Sequence, residues 1–276
     1  MKRNTLIKKI LFYLGLIALS CVILFPILFL VLTSLKSPDE FYGRSVFSLP
    51  RILNFNNFHE AFFKAKLNRY MLNGLILCIL KVPLGILLEA WAAFAITRLK
   101  IKFANIIFIV FLIGMMIPMQ IVIVPVNIGI RVLHLTNTYL GIILVYLAFG
   151  TPFGILIMRG FLRTIPHELD EAARIDGCSN IALFFQIILP LAKPAVATLL
   201  ILDALGTWNE FFFMSVLITN DKMKSVPAGL LSFMGENSTN YGLFTAGVLI
   251  TIVPVLIVFV AFQRYFMEGM AGAVKG

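Results

Sequence analysis

Four charged side chains interrupt stretches that are otherwise apolar: Lys81 and Glu89 within 70–97, and Asp203 and Glu210 within 194–219. A charge inside a bilayer is costly, so such groups turn toward a bundle interior or a water-filled path. Asp203 and Glu210 are seven residues apart and share a face if the segment is helical. Trp208 and Asn209 stand beside them. An indole stacks on a sugar ring, and amides and carboxylates bond hydroxyls. Asp203, Trp208, Asn209 and Glu210 are therefore candidates for a solute path, with helix–helix hydrogen bonding as the plainer reading. Lys81 and Glu89, two turns apart, read as an interior charge pair, either within the chain or with a partner.

Other chemistries find little support. No G-x-x-x-x-G-K-[ST] phosphate loop occurs, so the chain does not hydrolyse ATP by that route. Cys21, Cys78 and Cys178 are scattered, and His59, His134 and His167 fall in loops. None has the spacing of a metal site or a disulfide framework, so no metal is expected. An aspartyl intramembrane protease needs two aspartates in spans, and Asp203 is alone.

The elements that position these groups follow from composition. Of 276 residues, 60% are hydrophobic and 13% charged. A soluble domain carries about 25% charged residues. The mean hydropathy is +0.98. Six runs, 10–35, 70–97, 103–130, 135–158, 194–219 and 241–263, are each long enough to cross a hydrocarbon core of about 30 Å. Backbone groups in lipid must be satisfied within a helix or a closed barrel. The runs lack the alternation of barrel strands, so the expected fold is all-α, a polytopic membrane protein of six transmembrane helices. Prolines 26, 83, 118, 125, 152 and 254 lie in these runs and mark kinks.

The net charge of +10 resides in the gaps between runs, as topology signals do, and no nucleic-acid motif accompanies it. With the N-terminus inside, thirteen Lys and Arg fall in 1–9, 98–102, 159–193 and 264–276, against nine in the outer loops. Both termini are accordingly expected to be cytoplasmic.

The segment 159–193 is too long and too patterned for a simple connection. Pro166 suits a first helical position, and Glu168, Asp170 and Glu171 face the positive end of the helix dipole. Gly177 supplies a stop. Ser179 or Asn180 then caps a second helix over 181–189, ending at Pro190. In the first helix Leu169, Ala172, Ala173 and Asp176 lie on nearby faces, and the paired alanines leave a shallow knob suited to a partner's cleft. An amphipathic helix on the membrane surface is the alternative.

Glu171-Ala172-Ala173, Gly177 four residues on, and Ile187-x-Leu189-Pro190 after nine more resemble the EAA loop of binding-protein-dependent ABC importer permeases. Leu189-Pro190-Leu191-Ala192-Lys193-Pro194 and Thr207-Trp208-Asn209-Glu210-Phe211 look like the carbohydrate branch. The tail from Gln263 is similar to that of the smaller six-span permease of maltose-type transporters. The resemblance implies a second homologous permease completing the pore, an ABC ATPase dimer beneath it, and an extracellular solute-binding protein that delivers a carbohydrate.

ATP and Mg would belong to the ATPases, with no cofactor on this chain. The coupling set would be Glu168, Glu171, Ala172, Ala173, Asp176, Gly177, Leu189 and Pro190, with Gly177 fixing the turn and Glu171 facing the ATPase. The tail 271–276 would also reach toward the ATPase, and loops 36–69 and 220–240 would lie near the binding protein. The implied location is the bacterial cell membrane. The implied organisation is 1–69 (tail, first helix, first external loop), a permease core 70–264 with its coupling loop 164–190, and a C-terminal tail 265–276. A secondary transporter using Lys81, Glu89, Asp203 and Glu210 as an ion relay is the competing reading. Six spans without a visible repeat count against it.

Overall fold

The computed structural model describes residues 2–234 and 239–274. Long uncharged runs form helices because each backbone group finds its partner one turn away, whatever the solvent. Lys2–Ser34 is α1, Pro38–Gly43 α2 and Asn56–His59 α3, the last extended by one wide π turn, Glu60–Lys64. Then come Leu67–Arg98 (α4), Ala104–Met115 (α5), Met119–Val132 (α6), Tyr139–Leu162 (α7) and Glu168–Ile175 (α8). Asn180–Ala182 (α9), a π segment Leu183–Ile188 and Leu189–Leu191 (α10) follow in one run. Lys193–Asn209 (α11), Phe212–Leu217 (α12), Val226–Leu230 (α13) and Tyr241–Val274 (α14) complete the chain. Among the described residues the sole β pairing is an isolated bridge between Met234 and Thr239.

Four helical stretches are long and apolar enough to cross a bilayer: Lys8–Ser34, Leu67–Arg98, Tyr139–Leu162 and Tyr241–Gln263. Two bent pairs raise the number to six if each is one span. The sequence led us to expect one continuous helix over 103–130, and this is corrected. α5 and α6 meet at 99°. Pro118 stands at that break with extended backbone (ψ 131°); it offers no N–H and disfavours a helical residue before it. The run from α9 to α10 meets α11 at 77°. It also passes through Pro190 to Leu191, beyond the expected end. The segment expected over 194–219 stops at Asn209, because Glu210 is extended (ψ 121°).

The chain divides into two compact units: Met1–Asn68 with Leu230–Val253, and Arg69–Gly229 with Pro254–Gly276. In the first, the long loop after α1 is folded rather than loose. The Asn57 amide donates to the carbonyls of Ser34 (2.8 Å) and Lys36 (2.9 Å). Phe41 stacks on Tyr241 at 4.6 Å. In the second, one apolar cluster joins Val82, Phe94, Met158, Leu162, Ala173 and Phe184. Another joins Leu77, Ile142, Tyr146, Phe213 and Leu217. Of the tail read as 265–276, the backbone through Val274 continues α14. Its side chains, with Lys275 and Gly276, lie outside the described residues, as do the side chains of Lys2 and Arg3.

Candidate functional site

Two constellations stand out in the second unit. The first surrounds α8. Glu168, Asp170 and Glu171 occupy its first turn, complementing the N-terminal dipole. Gly177 adopts φ +81°, the left-handed region glycine enters without a Cβ penalty. That turn returns the Cys178 N–H to the Ala173 carbonyl at 2.9 Å. Ser179 Oγ then accepts the Ala182 N–H (3.2 Å) and caps the next helix. The alternative cap, Asn180, is the first residue of α9.

Arg98, the last residue of α4, clamps this helix. One guanidinium nitrogen donates to Asp170 Oδ2 at 2.9 Å and to His167 Nδ1 at 3.0 Å. The other donates to the carbonyls of Leu162 (2.5 Å) and Ile165 (2.6 Å), where α7 ends. Four acceptors from the α7–α8 connection thus converge on one buried cation. Sequence reasoning counted Arg98 only as a topology charge and gave Asp170 only a dipole role. A signal was available: Asp170 lies three residues before Ala173, so a helix burying one buries the other, and a buried carboxylate calls for a cation.

The paired-alanine knob is corrected. Ala173 is 4% exposed and packs in the core, whereas Ala172 is exposed. The free surface of α8 is a stripe of Leu169, Ala172 and Ile175, the last 86% exposed, flanked by Glu168, Glu171 and Asp176. Its inner face is Asp170 and Ala173. Leu189 is half-buried and Pro190 exposed, and both line an apolar groove with Pro83, Ile86 and Phe185.

The second constellation lies within the spans. Lys81 Nζ is 2.7 Å from Asp203 Oδ2. Of the two partnerships the sequence left open, Lys81 thus takes one within the chain, between α4 and α11. Glycines make the room. A Cβ on Gly150 would stand 3.1 Å from Lys81 Nζ, and one on Gly85 would stand 3.2 Å from Asp203 Oδ2 and 3.5 Å from Glu89 Oε1. Gly154 lies directly against the fully buried Glu89 carboxyl, leaving no space for a side chain.

Glu210 is not a mid-helix residue. It occupies the break after α11, where it accepts the Tyr146 hydroxyl (2.6 Å) and the backbone N–H groups of Phe213 (2.8 Å) and Met214 (3.1 Å). It thereby caps α12. Lys81, Asp203 and Glu210 line one cavity of about 170 Å³ with Met119, Tyr146, Phe149, Gly150, Gly206, Thr207 and Phe213. Trp208 faces elsewhere: it is buried, seated on Gly74, and shares an apolar pocket with Cys78 and Pro254. Asn209 is exposed and bonds the Leu205 carbonyl of its own helix. The structure thus unites Asp203 and Glu210 and separates Trp208 and Asn209 from them. Among the described residues no group of His, Cys, Asp and Glu could hold a metal ion.

A family profile described as "Binding-protein-dependent transport system inner membrane component" matches residues 81–271. The chain is 36% identical over 255 residues to the probable ABC transporter permease protein YurM of Bacillus subtilis (strain 168), covering 92% of this chain and 84% of that one. It is 34% identical to the diacetylchitobiose uptake system permease protein NgcG of Streptomyces coelicolor (90% and 83% covered). It is 32% identical to the arabinooligosaccharides transport system permease protein AraQ of Bacillus subtilis (94% and 92% covered). A solved structure of a bacterial ABC transporter involved in import of the acidic polysaccharide alginate has a chain of the same fold, with a TM-score of 0.81 and 23% identity over 96% of this chain and 98% of that one.

Proposed function

The chain belongs to the family of binding-protein-dependent transport system inner membrane components, and on that premise we propose that its solute is a carbohydrate and that α8 is the lever through which a separate ATPase drives it. It is a multi-pass membrane permease subunit of an ABC importer and not itself an enzyme. The carbohydrate assignment draws on the diacetylchitobiose and arabinooligosaccharide permeases, to which the chain is similar over nearly its whole length.

The observation that carries the lever reading is the division of α8 into two faces. Leu169, Ala172 and Ile175 are presented outward while Arg98 fastens the inner face to α4 and α7. An exposed apolar stripe flanked by carboxylates suits a groove on a partner. A push on α8 would pass through the Arg98–Asp170 pair into α4, which carries Lys81 and Glu89, and into α7, which carries Gly150 and Gly154. In this reading Glu168, Glu171, Ala172 and Asp176 meet the ATPase, Gly177 fixes the turn, and Ala173, Leu189 and Pro190 hold the loop from behind.

A second homologous permease would complete the pore, and a binding protein would deliver solute at the face opposite α8, whose side is cytoplasmic along with both termini. ATP and Mg would reside on the ATPase dimer. The solute path in this chain is the cavity beside Asp203 and Glu210. Two helix breaks adjoin it, at Pro118–Met119 and at Glu210. Non-helical backbone at membrane depth is tolerated where it is buried in protein or lines a water-filled cavity.

The test is expression of the tagged chain within its gene cluster, followed by mild-detergent purification and binding-protein-dependent sugar uptake. The proposal expects a co-purifying ATPase and second permease, lost on Glu171→Lys or Gly177→Asp with the chain still folded. Uptake driven by an ion gradient without ATPase would contradict it.

A further inference from the structure

The charges that face the cavity are already engaged with one another. Lys81 is held by Asp203 at 2.7 Å. Glu210 is held by the Tyr146 hydroxyl and two backbone N–H groups. Lys81 is the one basic residue of the lining, against the two carboxylates of Asp203 and Glu210. The wall therefore carries one negative charge in excess. Glu89, buried beside the same Gly85 that Asp203 approaches, brings no cation to offset it. Beyond these charges the lining offers the Thr207 hydroxyl, the Tyr146 oxygen, whose proton is given to Glu210, and the half-buried Phe149 ring, which packs on the buried Phe213 with centroids 4.7 Å apart.

We propose that this cavity selects uncharged solutes. Resting on the carbohydrate reading above, the solute is a neutral saccharide rather than a uronate or a sugar phosphate, and Asp203 and Glu210 are the residues that turn the acid away. An anion entering here meets no spare positive charge. Drawing Lys81 to itself would leave the half-buried Asp203 without its cation, a costly way to break such a pair. Staying away from Lys81 leaves it facing the like charges of Asp203 and Glu210. A neutral sugar incurs neither cost. Its C–H faces suit the Phe149 ring, and its hydroxyls suit Thr207 and the Tyr146 oxygen.

The experiment begins with the binding protein purified from cells, whose bound solute is released and identified by mass spectrometry. A solute of net negative charge overturns the proposal at once, while a sugar of either charge leaves the carbohydrate reading standing. A neutral solute that is no sugar does the reverse. The neutral solute is then oxidised at one primary hydroxyl to its carboxylate. Uptake of both forms is measured in proteoliposomes holding the full transporter, and binding-protein affinity for each form is measured separately to correct for delivery. The corrected ratio of neutral to acidic uptake is expected to be about tenfold or more. Glu210→Gln, which keeps an acceptor for the Phe213 N–H, is expected to lower that ratio. A wild-type ratio near one, or a ratio unmoved in Glu210→Gln, overturns the proposal.

Discussion

Arg98 and Asp170 meet at 2.9 Å across 72 residues of sequence, and the same guanidinium holds the carbonyls that end α7. Arg98 is 7% and Asp170 6% exposed, so the pair is largely removed from solvent. Removing one partner leaves the other buried and uncompensated, a cost of about 3–5 kcal/mol. Arg98→Ala is expected to lower the unfolding temperature of the purified chain and to abolish stimulation of ATP hydrolysis by the loaded binding protein. Arg98→Lys restores one contact of four and should recover stability more than coupling. Equal recovery of both would show that the clamp has no role beyond folding.

Gly177 tests the turn behind α8. At φ +81° a side chain is strained by about 1–2 kcal/mol even though nothing crowds the position. Gly177→Val is expected to weaken ATPase retention during purification, and Gly177→Asn, which visits this region more readily, to weaken it less. Matching losses in the two variants would argue that bulk at this site, not backbone conformation, matters.

Glu89 and Gly154 are fitted to one another. A methyl on Gly154 collides with the Glu89 carboxyl, and overpacking of this kind costs about 1–3 kcal/mol. Gly154→Ala should lower the melting temperature in detergent, and adding Glu89→Ala should restore much of it by vacating the space. Failure of the second change to rescue the first would mean that Gly154 is required for another reason.

Glu210 serves two masters, the cap of α12 and the Tyr146 hydroxyl. Losing a cap costs about 0.5–2 kcal/mol. Glu210→Ala is expected to lower uptake more than Asn209→Ala, because Asn209 bonds only its own helix at Leu205. Transport kinetics on the two variants decide this, and a larger loss at Asn209 would contradict it.

Much of this was legible from the residues because it is local. Apolar length announced the spans, and the glycine at 177 announced a turn that needs φ above zero. The break at Pro118 was not separable from the other prolines. Pro26, Pro83, Pro125, Pro152 and Pro254 all lie inside helices, so a proline in a span does not by itself end one. Trp208 stands apart from Asp203 and Glu210 for a different reason. Its side chain follows the rotation of α11 onto Gly74, a neighbour 134 positions away that only packing reveals. Lys81 met Asp203 rather than Glu89 because the facing helix, not the same one, supplied the nearer carboxylate. Arg98 hid in plain sight, since a basic residue at a span end is also what topology demands.

Ala172 and Ala173 offer the most direct trial of the account, being adjacent in sequence and opposite in exposure. In a chain carrying Cys21→Ser, Cys78→Ser and Cys178→Ala, single cysteines at 172 or 173 would be labelled with a short maleimide–benzophenone and irradiated in the assembled transporter. We predict a cross-link to the ATPase from Ala172→Cys, strengthened on ATP binding, and none from Ala173→Cys. A cross-link from 173 alone, or from neither position with the ATPase present, would contradict the claim that the outer face of α8 is where the motor takes hold.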